Sequence, residues 1–343
     1  MTDTQAPARS DRPLMAAYDT ALLDLDGVVY AGADAIEHAV DSLATARAEG
    51  MRLAYVTNNA SRPPRVVAEH LTELGIPAES EDVINSAQAA ARLIAEKVPA
   101  GAKVLVVGGA GLVEALAEHG LVAVRSLADG PAAVVQGFDQ SVGWAELAEA
   151  SYAVASGLPW VASNTDLSIP TARGVAPGNG TLVAAVRAAT GAEPEVAGKP
   201  LPPMHRETVL RTGAKRPLVV GDRLDTDIEG AYNGGVDSLL VFTGVATPAE
   251  LLAAPAKHRP SYLAADLRGL LEAHPAVERL SDGAFGCRGQ RAEVVDGELR
   301  LTGPDGEGDR YDGLRALCAA AWTALDRDGR PVDGRKALAE LGF

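Results

Sequence analysis

Two acidic side chains separated by one residue follow the first apolar run of the chain. They are Asp24 and Asp26, and they close the segment Ala21–Gly27, whose first four residues predict a buried strand. Ligands of α/β folds bind at the carboxyl ends of parallel strands, and two carboxylates held close together repel unless a cation or a shared proton relieves them. The pair therefore predicts a metal site or a nucleophile beside a general acid. An acidic strand-to-turn loop without chemistry is the alternative at this point.

A second acidic cluster follows another apolar run. The sequence GDRLDTD, residues 221–227, places Asp222 and Asp227 after a strand predicted over Pro217–Val220. The oxygen spacing of a calcium-binding EF-hand loop is missing, whereas Mg²⁺ needs only one or two carboxylates and retains waters. The segment therefore favours a magnesium site, with a helix-capping role as the alternative for Asp227.

Two further segments could bind phosphate. Thr57 and Asn58 end a strand predicted over Arg52–Thr57, and a hydroxyl, an amide and exposed backbone N–H groups in one turn can hold phosphate oxygens. An Asx turn before a helix is the alternative for this segment. Lys199 lies in a Gly-Lys-Pro turn, where restricted backbone freedom favours a phosphate ligand over the alternative of a solvated surface charge.

The elements that must position these side chains alternate between short apolar runs and longer amphipathic stretches. This alternation is typical of parallel βαβ units and predicts an α/β fold. The further strands are predicted over Arg52–Thr57, Lys103–Val107, Ala132–Gln136, Trp160–Ser163, Pro217–Val220 and Ser238–Phe242. The helices are predicted over Ile36–Glu49, Arg65–Leu74, Leu112–His119, Trp144–Ser156, Thr181–Thr190 and Asp227–Asn233.

The chain resembles the haloacid dehalogenase (HAD) superfamily in the order of its motifs. These are strand-DxDG, strand-TNN, GKP and strand-GDxxxTD. The TNN, GKP and GDRLDTDI segments are similar to its subclass IIA, the group of glycerol 3-phosphate, phosphoglycolate and 4-nitrophenyl phosphatases and NagD-like enzymes. The resemblance covers about residues 18–271. It implies a Rossmann-like core with a parallel sheet, an inserted α/β cap of the C2 type, and a Mg²⁺-dependent phosphatase that works through an aspartyl-phosphate intermediate.

The resemblance also implies a role for each acidic residue. Asp24 would be the nucleophile that attacks phosphorus, and Asp26 would protonate the leaving alkoxide and then deprotonate the hydrolytic water. Mg²⁺ would be held by the carboxylates of Asp24 and Asp222 and by the backbone carbonyl of Asp26. Asp227 would orient the groups around the metal.

The same resemblance implies how the phosphoryl group is held. Thr57 and the backbone of Asn58 would bind the phosphoryl oxygens. Lys199 would offset charge on both the phosphoryl group and Asp24. This assignment agrees with the demand of phosphoryl transfer for positioning and charge neutralisation.

The spacing of the motifs predicts the domain organisation. About 140 residues separate TNN from GKP, which is too long for a loop in a compact domain and predicts an inserted one. After about residue 275 glycine and charge increase, with a hairpin predicted around Asp296-Gly297 and a helix over Leu314–Leu325. We predict a disordered leader over residues 1–17, a discontinuous core over 18–76 and 197–274, a cap over 77–196 and a small α+β appendage over 275–343. The appendage resembles a fragment of an acetyltransferase-like domain carried by longer relatives, and we hypothesise a structural or dimerising role for it.

Two loops of the predicted cap are rich in polar and turn residues. They are NTDLS at residues 164–168 and RGVAPGNG at residues 173–180, and they make Asn164, Asp166, Arg173 and Asn179 candidates for contacting the leaving group. An ordinary surface arginine is the alternative for Arg173, and turn and N-cap chemistry explains part of the second loop.

A glycine-rich turn in the predicted cap partly matches a dinucleotide-binding fingerprint. The segment Val107–Val113 follows a strand and opens a helix, but Glu114 stands where the third glycine is needed. A tight turn between strand and helix is therefore the preferred interpretation.

Composition narrows the partners and the location of the protein. The net charge of −15 over 343 residues disfavours nucleic acid and anionic membranes, and two cysteines make neither a disulfide framework nor a zinc site. No apolar run is long enough to span a membrane, and the first residues lack the apolar stretch of a signal peptide. We expect a cytoplasmic enzyme, with a homodimer as one expected assembly.

The expected substrate is a small phosphorylated metabolite. Glycerol 3-phosphate is the first expectation, and phosphoglycolate, a sugar phosphate or a nucleotide are the alternatives. A non-catalytic phosphometabolite sensor and a dinucleotide-binding protein are alternatives of a different class. Phosphate release that requires Mg²⁺ separates the enzyme from both.

Overall fold

The computed structural model describes residues 6–171, 173–303 and 309–343. The internal contacts of the chain divide it into two units. The first unit comprises Met1–Leu53 and Ala214–Phe343, and the second comprises Ala54–Gly213. Within the described residues, no helix combines the length and the apolar character that crossing a membrane requires.

Four parallel strands lie side by side in the first unit. Their order is Tyr262–Ala264, Asp237–Val241, Pro217–Gly221 and Thr20–Leu23. Nearly all of their side chains are buried, which is the pattern of parallel strands covered on both faces. The prediction of parallel βαβ units is therefore confirmed here. The bounds of three of the strands lie within one residue of those predicted, whereas the strand Tyr262–Ala264 was not predicted.

Helices precede, connect and follow these strands. The α-helices are Leu14–Ala17, Ala39–Ala48, Glu229–Gly234 and Pro248–Leu252, a π-helical turn covers Leu224–Ile228, and 3₁₀ helices cover Ala256–His258 and Leu267–Leu271. A small antiparallel hairpin joins Tyr30–Ala31 to Asp34–Ala35. The helix predicted over Asp227–Asn233 thus begins as a wider turn, which carries Asp227 before the regular helix starts at Glu229.

The appendage belongs to the first unit and shares its hydrophobic core. It consists of the antiparallel strands Glu278–Arg279, Phe285–Cys287, Gln290–Val295 and Glu298–Thr302 and the helices Arg310–Asp328 and Arg335–Glu340. Trp322 on the long helix is fully buried, and its indole N–H donates to the backbone oxygen of Leu251 at 2.8 Å. Buried side chains of the appendage and of the parallel sheet form one cluster, which gives the hypothesised structural role a physical basis.

The leader predicted to be disordered over residues 1–17 is ordered in part. Leu14 is fully buried at the start of a one-turn helix, and the backbone N–H groups of Ala8 and Ser10 donate to the oxygens of Ser261 and His274. The prediction is wrong from Ala8 onward because these backbone groups pair within the first unit. Residues 1–5 lie outside the described residues.

The second unit contains its own parallel sheet of five strands. Their order is Glu195–Val196, Trp160–Ala162, Ala133–Gln136, Lys103–Val107 and Val122–Val124. Separately, Arg52–Thr57 pairs in parallel with Val83–Asn85, and Ser168–Thr171 pairs with Gly174–Pro177 as an antiparallel hairpin. The helices of this unit are Pro64–Glu73, Ser86–Ala95, Ala110–Glu118, Trp144–Ala155, Asn179–Thr190 and Pro202–Thr212, with 3₁₀ turns at Ser80–Asp82 and Leu127–Asp129.

The division into units does not follow the predicted domain boundaries. It falls inside the strand Arg52–Thr57 and after Gly213, whereas the cap is predicted over residues 77–196. The five-stranded sheet lies wholly within that predicted range. The bounds of the core, cap and appendage remain predictions.

Candidate active site

Asp24 and Asp222 follow two adjacent parallel strands of the first unit. The register pairs Leu23 with Val220, and the backbone N–H of Asp24 donates to the oxygen of Val220 at 2.8 Å. Because parallel strands end at the same edge of the sheet, the two aspartates emerge together. The apolar runs that form the strands therefore bring the first two acidic motifs to one place.

Three carboxylates converge at this edge. One carboxylate oxygen from each of Asp24, Asp222 and Asp227 lies within 4.8 Å of the others. Asp222 and Asp227 are almost fully buried, so their mutual repulsion is poorly screened by water and must be offset by a positive charge or by protonation. Hard oxygen donors in this number suit Mg²⁺. We call Asp24, Asp222 and Asp227 the carboxylate cluster. The side chains of this cluster fit a bound divalent cation.

A loop that the sequence did not draw attention to holds Asp222. The backbone N–H of Val245 donates to Asp222 Oδ2 at 2.7 Å, and that of Ala246 donates to the Asp222 backbone oxygen at 2.9 Å. Gly244 lies so close that a Cβ there would come within 1.9 Å of Asp222 Oδ2. The signal that could have identified this loop is its position, because the loop that begins at Phe242 directly follows the strand Asp237–Val241, which is adjacent to the one that precedes Asp222.

Asp227 is oriented by its own turn. Its Oδ2 accepts the backbone N–H of Arg223 at 3.2 Å, and Gly221 allows the approach, since a Cβ there would lie 2.1 Å from the Asp227 Cβ. The neighbouring Asp225 instead forms a salt bridge with Arg223, with its Oδ2 at 2.9 Å from the guanidinium. Burial tends to raise the pKa of Asp225, but the hydrogen bonds and charge of Arg223 outweigh burial and keep that pKa below its usual range.

Asp26 is placed differently from the three clustered acids. Its side chain is exposed, and its backbone forms a bridge with Tyr30. Gly27 after it has a φ of +87°, and a Cβ at that position would lie 2.6 Å from Asp222 Oδ2. The turn therefore directs the two acids of the DxDG motif differently, with Asp24 toward the carboxylate cluster and Asp26 toward solvent.

In the second unit, the TNN and GKP motifs are joined by hydrogen bonds. Asn58 Oδ1 accepts the backbone N–H of Lys199 at 2.8 Å, and Asn58 Nδ2 donates to the Lys199 backbone oxygen at 3.2 Å. The Lys199 ammonium donates to the oxygen of Val56 at 3.1 Å. Thr57 is almost fully buried, and its hydroxyl accepts the backbone N–H of Asn59 at 3.1 Å. The predicted phosphate-binding residues of this unit are thus held together.

Three of the four cap candidates belong to the same hydrogen-bonded network. Asn58 Nδ2 donates to Asp166 Oδ2 at 3.2 Å, and Asn164 Nδ2 donates to the Asn58 backbone oxygen at 2.7 Å. Asn179 Nδ2 in turn donates to the Asn164 backbone oxygen at 2.7 Å. Asn164 and Asn179 are at most 5% exposed, so their side chains bind backbone groups of the unit, and a leaving-group role for them remains a prediction.

The fourth cap candidate, Arg173, is exposed. It lies in the turn of the Ser168–Pro177 hairpin, where its backbone N–H donates to the Thr171 hydroxyl at 3.2 Å. The side chain is accessible to a ligand, and a role in binding the substrate remains a prediction.

The glycine-rich turn of the second unit is closely packed. A Cβ on Gly111 would lie 2.4 Å from the backbone oxygen of Ala60, and one on Gly109 would lie 2.9 Å from that of Ser61. These glycines therefore accommodate the segment 60–62 at the start of the helix Ala110–Glu118. This packing explains the glycines without a dinucleotide.

Three family models match the chain. One described as haloacid dehalogenase-like hydrolase matches residues 21–122, and a second HAD hydrolase-like model matches residues 196–270. A model of a GCN5-related N-acetyltransferase-like domain matches residues 287–343. The last match agrees with the predicted resemblance of the appendage.

Similar proteins and structures cover most of the chain. The D-glycerol 3-phosphate phosphatase of Mycobacterium tuberculosis is 49% identical over 253 residues, covering 74% of this chain and 71% of that protein. The 5′-nucleotidase YutF of Bacillus subtilis is 38% identical over 233 residues, covering 67% and 90%. The crystal structure of a glycerol phosphate phosphatase from M. tuberculosis in complex with magnesium matches with a TM-score of 0.87 and 42% identity, covering 96% of this chain and 98% of that one.

Proposed function

The chain belongs to the haloacid dehalogenase-like hydrolases, and on that premise we propose that it is a Mg²⁺-dependent phosphatase of small phosphate monoesters. The observation that carries the proposal is the carboxylate cluster, with three acidic oxygens within 4.8 Å of one another after two parallel strands. Such a cluster needs a cation, and phosphoryl transfer needs charge neutralisation at the same place. We propose glycerol 3-phosphate as the substrate.

Asp24 is the nucleophile of the proposed reaction. Its carboxylate forms a bond to phosphorus while the bond from phosphorus to the alkoxide leaving group breaks, which gives an aspartyl phosphate. Asp24, Asp222 and the backbone carbonyl of Asp26 would hold Mg²⁺, whose positive charge would reduce the repulsion between the attacking carboxylate and the phosphate dianion. Asp227 orients the groups around the metal.

Asp26 is the general acid and base of the proposal. Its exposed carboxyl group gives its proton to the leaving alkoxide, so that glycerol departs as a neutral alcohol. The carboxylate then takes a proton from water as that water attacks phosphorus. Inorganic phosphate leaves, and both aspartates return to their starting states.

Thr57, Asn58 and Lys199 bind the phosphoryl group in this proposal. The backbone pairing of Asn58 with Lys199 supports it, because the pairing fixes the GKP turn relative to the end of the TNN strand. A lysine held in that way supplies positive charge at a defined position with little loss of conformational entropy. Asp166 is a positioning residue for Asn58, and Arg173 is a candidate contact for the leaving group.

The substrate is the finer part of the proposal. The support for glycerol 3-phosphate is the 49% identity to a phosphatase of that ester, against 38% to a 5′-nucleotidase. Aromatic residues make up only 4% of the chain, which offers few platforms for stacking a nucleobase. Phosphoglycolate, sugar phosphates and nucleotides remain the competing substrates.

The proposal also extends to partners and location. A net charge of −15 opposes binding to nucleic acid and to anionic membranes. We propose a cytoplasmic enzyme without membrane insertion. A homodimer is the assembly that we propose to test by measuring the mass in solution.

A phosphate-release assay tests the function. Glycerol 3-phosphate, phosphoglycolate, a hexose phosphate and a nucleoside 5′-monophosphate are compared by kcat/KM in the presence of Mg²⁺, and each reaction is repeated with EDTA. We expect EDTA to abolish release and glycerol 3-phosphate to give the highest kcat/KM. A higher value for another ester would overturn the substrate assignment, and no release from any of the four would overturn the function.

A further inference from the structure

Three aromatic rings join the appendage to the end of a central strand in the first unit. The ring of Phe242 lies 5.7 Å from that of Tyr311 and 6.5 Å from that of Phe343, and the latter two lie 5.5 Å apart. These distances are within the range at which aromatic pairs stabilise one another. The chain has only four phenylalanines, and two of them lie in this aromatic cluster of Phe242, Tyr311 and Phe343.

The side of the cluster contributed by the appendage is itself fixed. The Arg310 guanidinium lies 4.4 Å from the centre of the Phe343 ring and 5.4 Å from that of Tyr311. The same guanidinium donates to the backbone oxygen of Gly342 at 3.2 Å. Cation–π contacts and a hydrogen bond therefore hold Phe343 against the helix that carries Tyr311.

Phe242 begins the loop that holds Asp222. Directly after it, the Thr243 hydroxyl donates to the Gly27 backbone oxygen at 2.6 Å. The next residues donate two backbone N–H bonds to Asp222, from Val245 at 2.7 Å and from Ala246 at 2.9 Å. A displacement of this loop therefore displaces Asp222 as well.

Beyond Thr243, the middle of the loop has little support from its own side chains. Gly244 has none, and that of Val245 is 62% exposed. The two ends of the loop, in contrast, pack against other side chains. Phe242 packs in the aromatic cluster, and Ala246 lies in the core shared with the appendage helix Arg310–Asp328. The appendage therefore packs against both ends of the loop, in addition to the hydrogen bond from Thr243 to Gly27.

We propose that the aromatic cluster is a positioning device through which the appendage sets the geometry of Asp222 for Mg²⁺. The inference deepens the proposed function and rests on it. Mg²⁺ requires nearly ideal octahedral geometry, so a small shift of one carboxylate weakens binding out of proportion to the shift. For this reason, residues that orient metal ligands commonly affect both the affinity for the metal and the turnover of the enzyme.

The test compares substitutions in the cluster with one elsewhere in the appendage. Phe343→Ala and Tyr311→Leu remove rings of the cluster, while Tyr311→Phe keeps the ring and serves as the conservative variant. Leu299→Ala is the matched control, because Leu299 is a buried side chain of the same appendage on the strand Glu298–Thr302. All variants are made in the full chain, and their melting temperatures show which are folded.

The main readout is the dissociation constant of Mg²⁺, measured by titration calorimetry on EDTA-treated protein. We expect Phe343→Ala and Tyr311→Leu to raise it about fivefold, below the roughly 10- to 100-fold typical of residues that touch a metal ligand directly. Tyr311→Phe should bind Mg²⁺ like the wild type. Kinetics should show a lower kcat at subsaturating Mg²⁺ with an unchanged KM for the ester.

Two outcomes would overturn the inference. One is an unchanged Mg²⁺ dissociation constant in folded Phe343→Ala and Tyr311→Leu proteins. The other is an equal increase in Leu299→Ala, which would mean that general loss of stability weakens the site. Because calorimetry needs no substrate, a wild-type protein that binds Mg²⁺ but releases no phosphate would contradict the proposed function alone.

Discussion

Gly244 and Asp222 are in contact at the carboxyl edge of the parallel sheet. A Cβ added to Gly244 would lie 1.9 Å from Asp222 Oδ2 and 2.6 Å from its carboxyl carbon. Asp222 is fully buried, so its carboxylate cannot move into solvent to make room. Asp222 can therefore occupy its place in the carboxylate cluster only because residue 244 has no side chain.

Gly244→Ala should consequently disable the site without unfolding the protein. We expect kcat/KM for the ester to fall about 100-fold, because the orientation of a metal ligand is lost. The control is Gly143→Ala, since a Cβ there would meet its nearest atom at an ordinary 3.6 Å. Near-normal kinetics of folded Gly244→Ala would contradict the prediction.

The buried Asn179 of the second unit should act on stability. Asn179 is 1% exposed and donates to the Asn164 backbone oxygen, so Asn179→Ala leaves that oxygen without this donor. We expect a loss of about 1–3 kcal/mol in the free energy of unfolding, measured by urea denaturation. Arg173→Ala, at an exposed position, should stay within about 0.5 kcal/mol of wild type. A stable Asn179→Ala protein with reduced affinity for the ester would instead favour a direct role in substrate binding.

His274 should make the first unit sensitive to acid. Burial lowers the pKa of this side chain to about 4, and its Nε2–H donates to the Gly269 oxygen at 2.9 Å. Because the folded-state pKa lies below the unfolded value of about 6.5, the neutral histidine contributes stability above that value and loses it as the pH falls toward 4.

Between pH 7 and pH 5 this histidine should account for a loss of about 2 kcal/mol in the free energy of unfolding. His274→Gln retains a donor for the Gly269 oxygen and does not titrate, so its stability should fall less over this range. Urea denaturation of both proteins at the two pH values measures the difference. Equal losses in the two proteins would rule out His274 as the cause.

An ion pair ties the appendage to the rest of the first unit. The Arg259 guanidinium is 1% exposed and donates to both carboxylate oxygens of Asp326, at 2.7 and 2.6 Å. Asp326→Asn would leave a buried positive charge without its carboxylate, at a cost of about 2 kcal/mol after allowance for the partial exposure of Asp326. Thermal denaturation should show no comparable effect for Asp328→Asn, whose partner Arg327 is exposed. Equal melting temperatures for wild type and Asp326→Asn would contradict this prediction.

The sequence was most informative where local patterns determine structure. The strands Arg52–Thr57 and Lys103–Val107 have the predicted bounds, because apolar β-branched runs between polar residues leave few alternatives. The hairpin at Asp296-Gly297 is confirmed, and both of these residues have positive φ. The DxDG and GDRLDTD motifs also allowed the carboxylate cluster to be anticipated, since residues that follow parallel strands meet at one edge.

The sequence was less informative where long-range packing decides. The helix Ser86–Ala95 is not among the predicted helices. Its buried residues include the polar side chains of Ser86 and Gln88, and burial of a polar side chain depends on tertiary packing that residue type does not reveal. The loop that holds Asp222 uses backbone N–H groups, which no residue type reveals. The order in the leader depends on pairing with residues more than 200 positions away, which a local pattern cannot encode.

The most direct test of the account is phosphate release from glycerol 3-phosphate by wild-type and Asp24→Asn proteins, with Mg²⁺ and with EDTA. Asparagine preserves the shape of the side chain but cannot attack phosphorus as a carboxylate does, so circular dichroism should show an unchanged fold. The account predicts release by the wild type with Mg²⁺ only, and no turnover by folded Asp24→Asn under either condition. Full activity of Asp24→Asn, or undiminished activity of the wild type in EDTA, would contradict it.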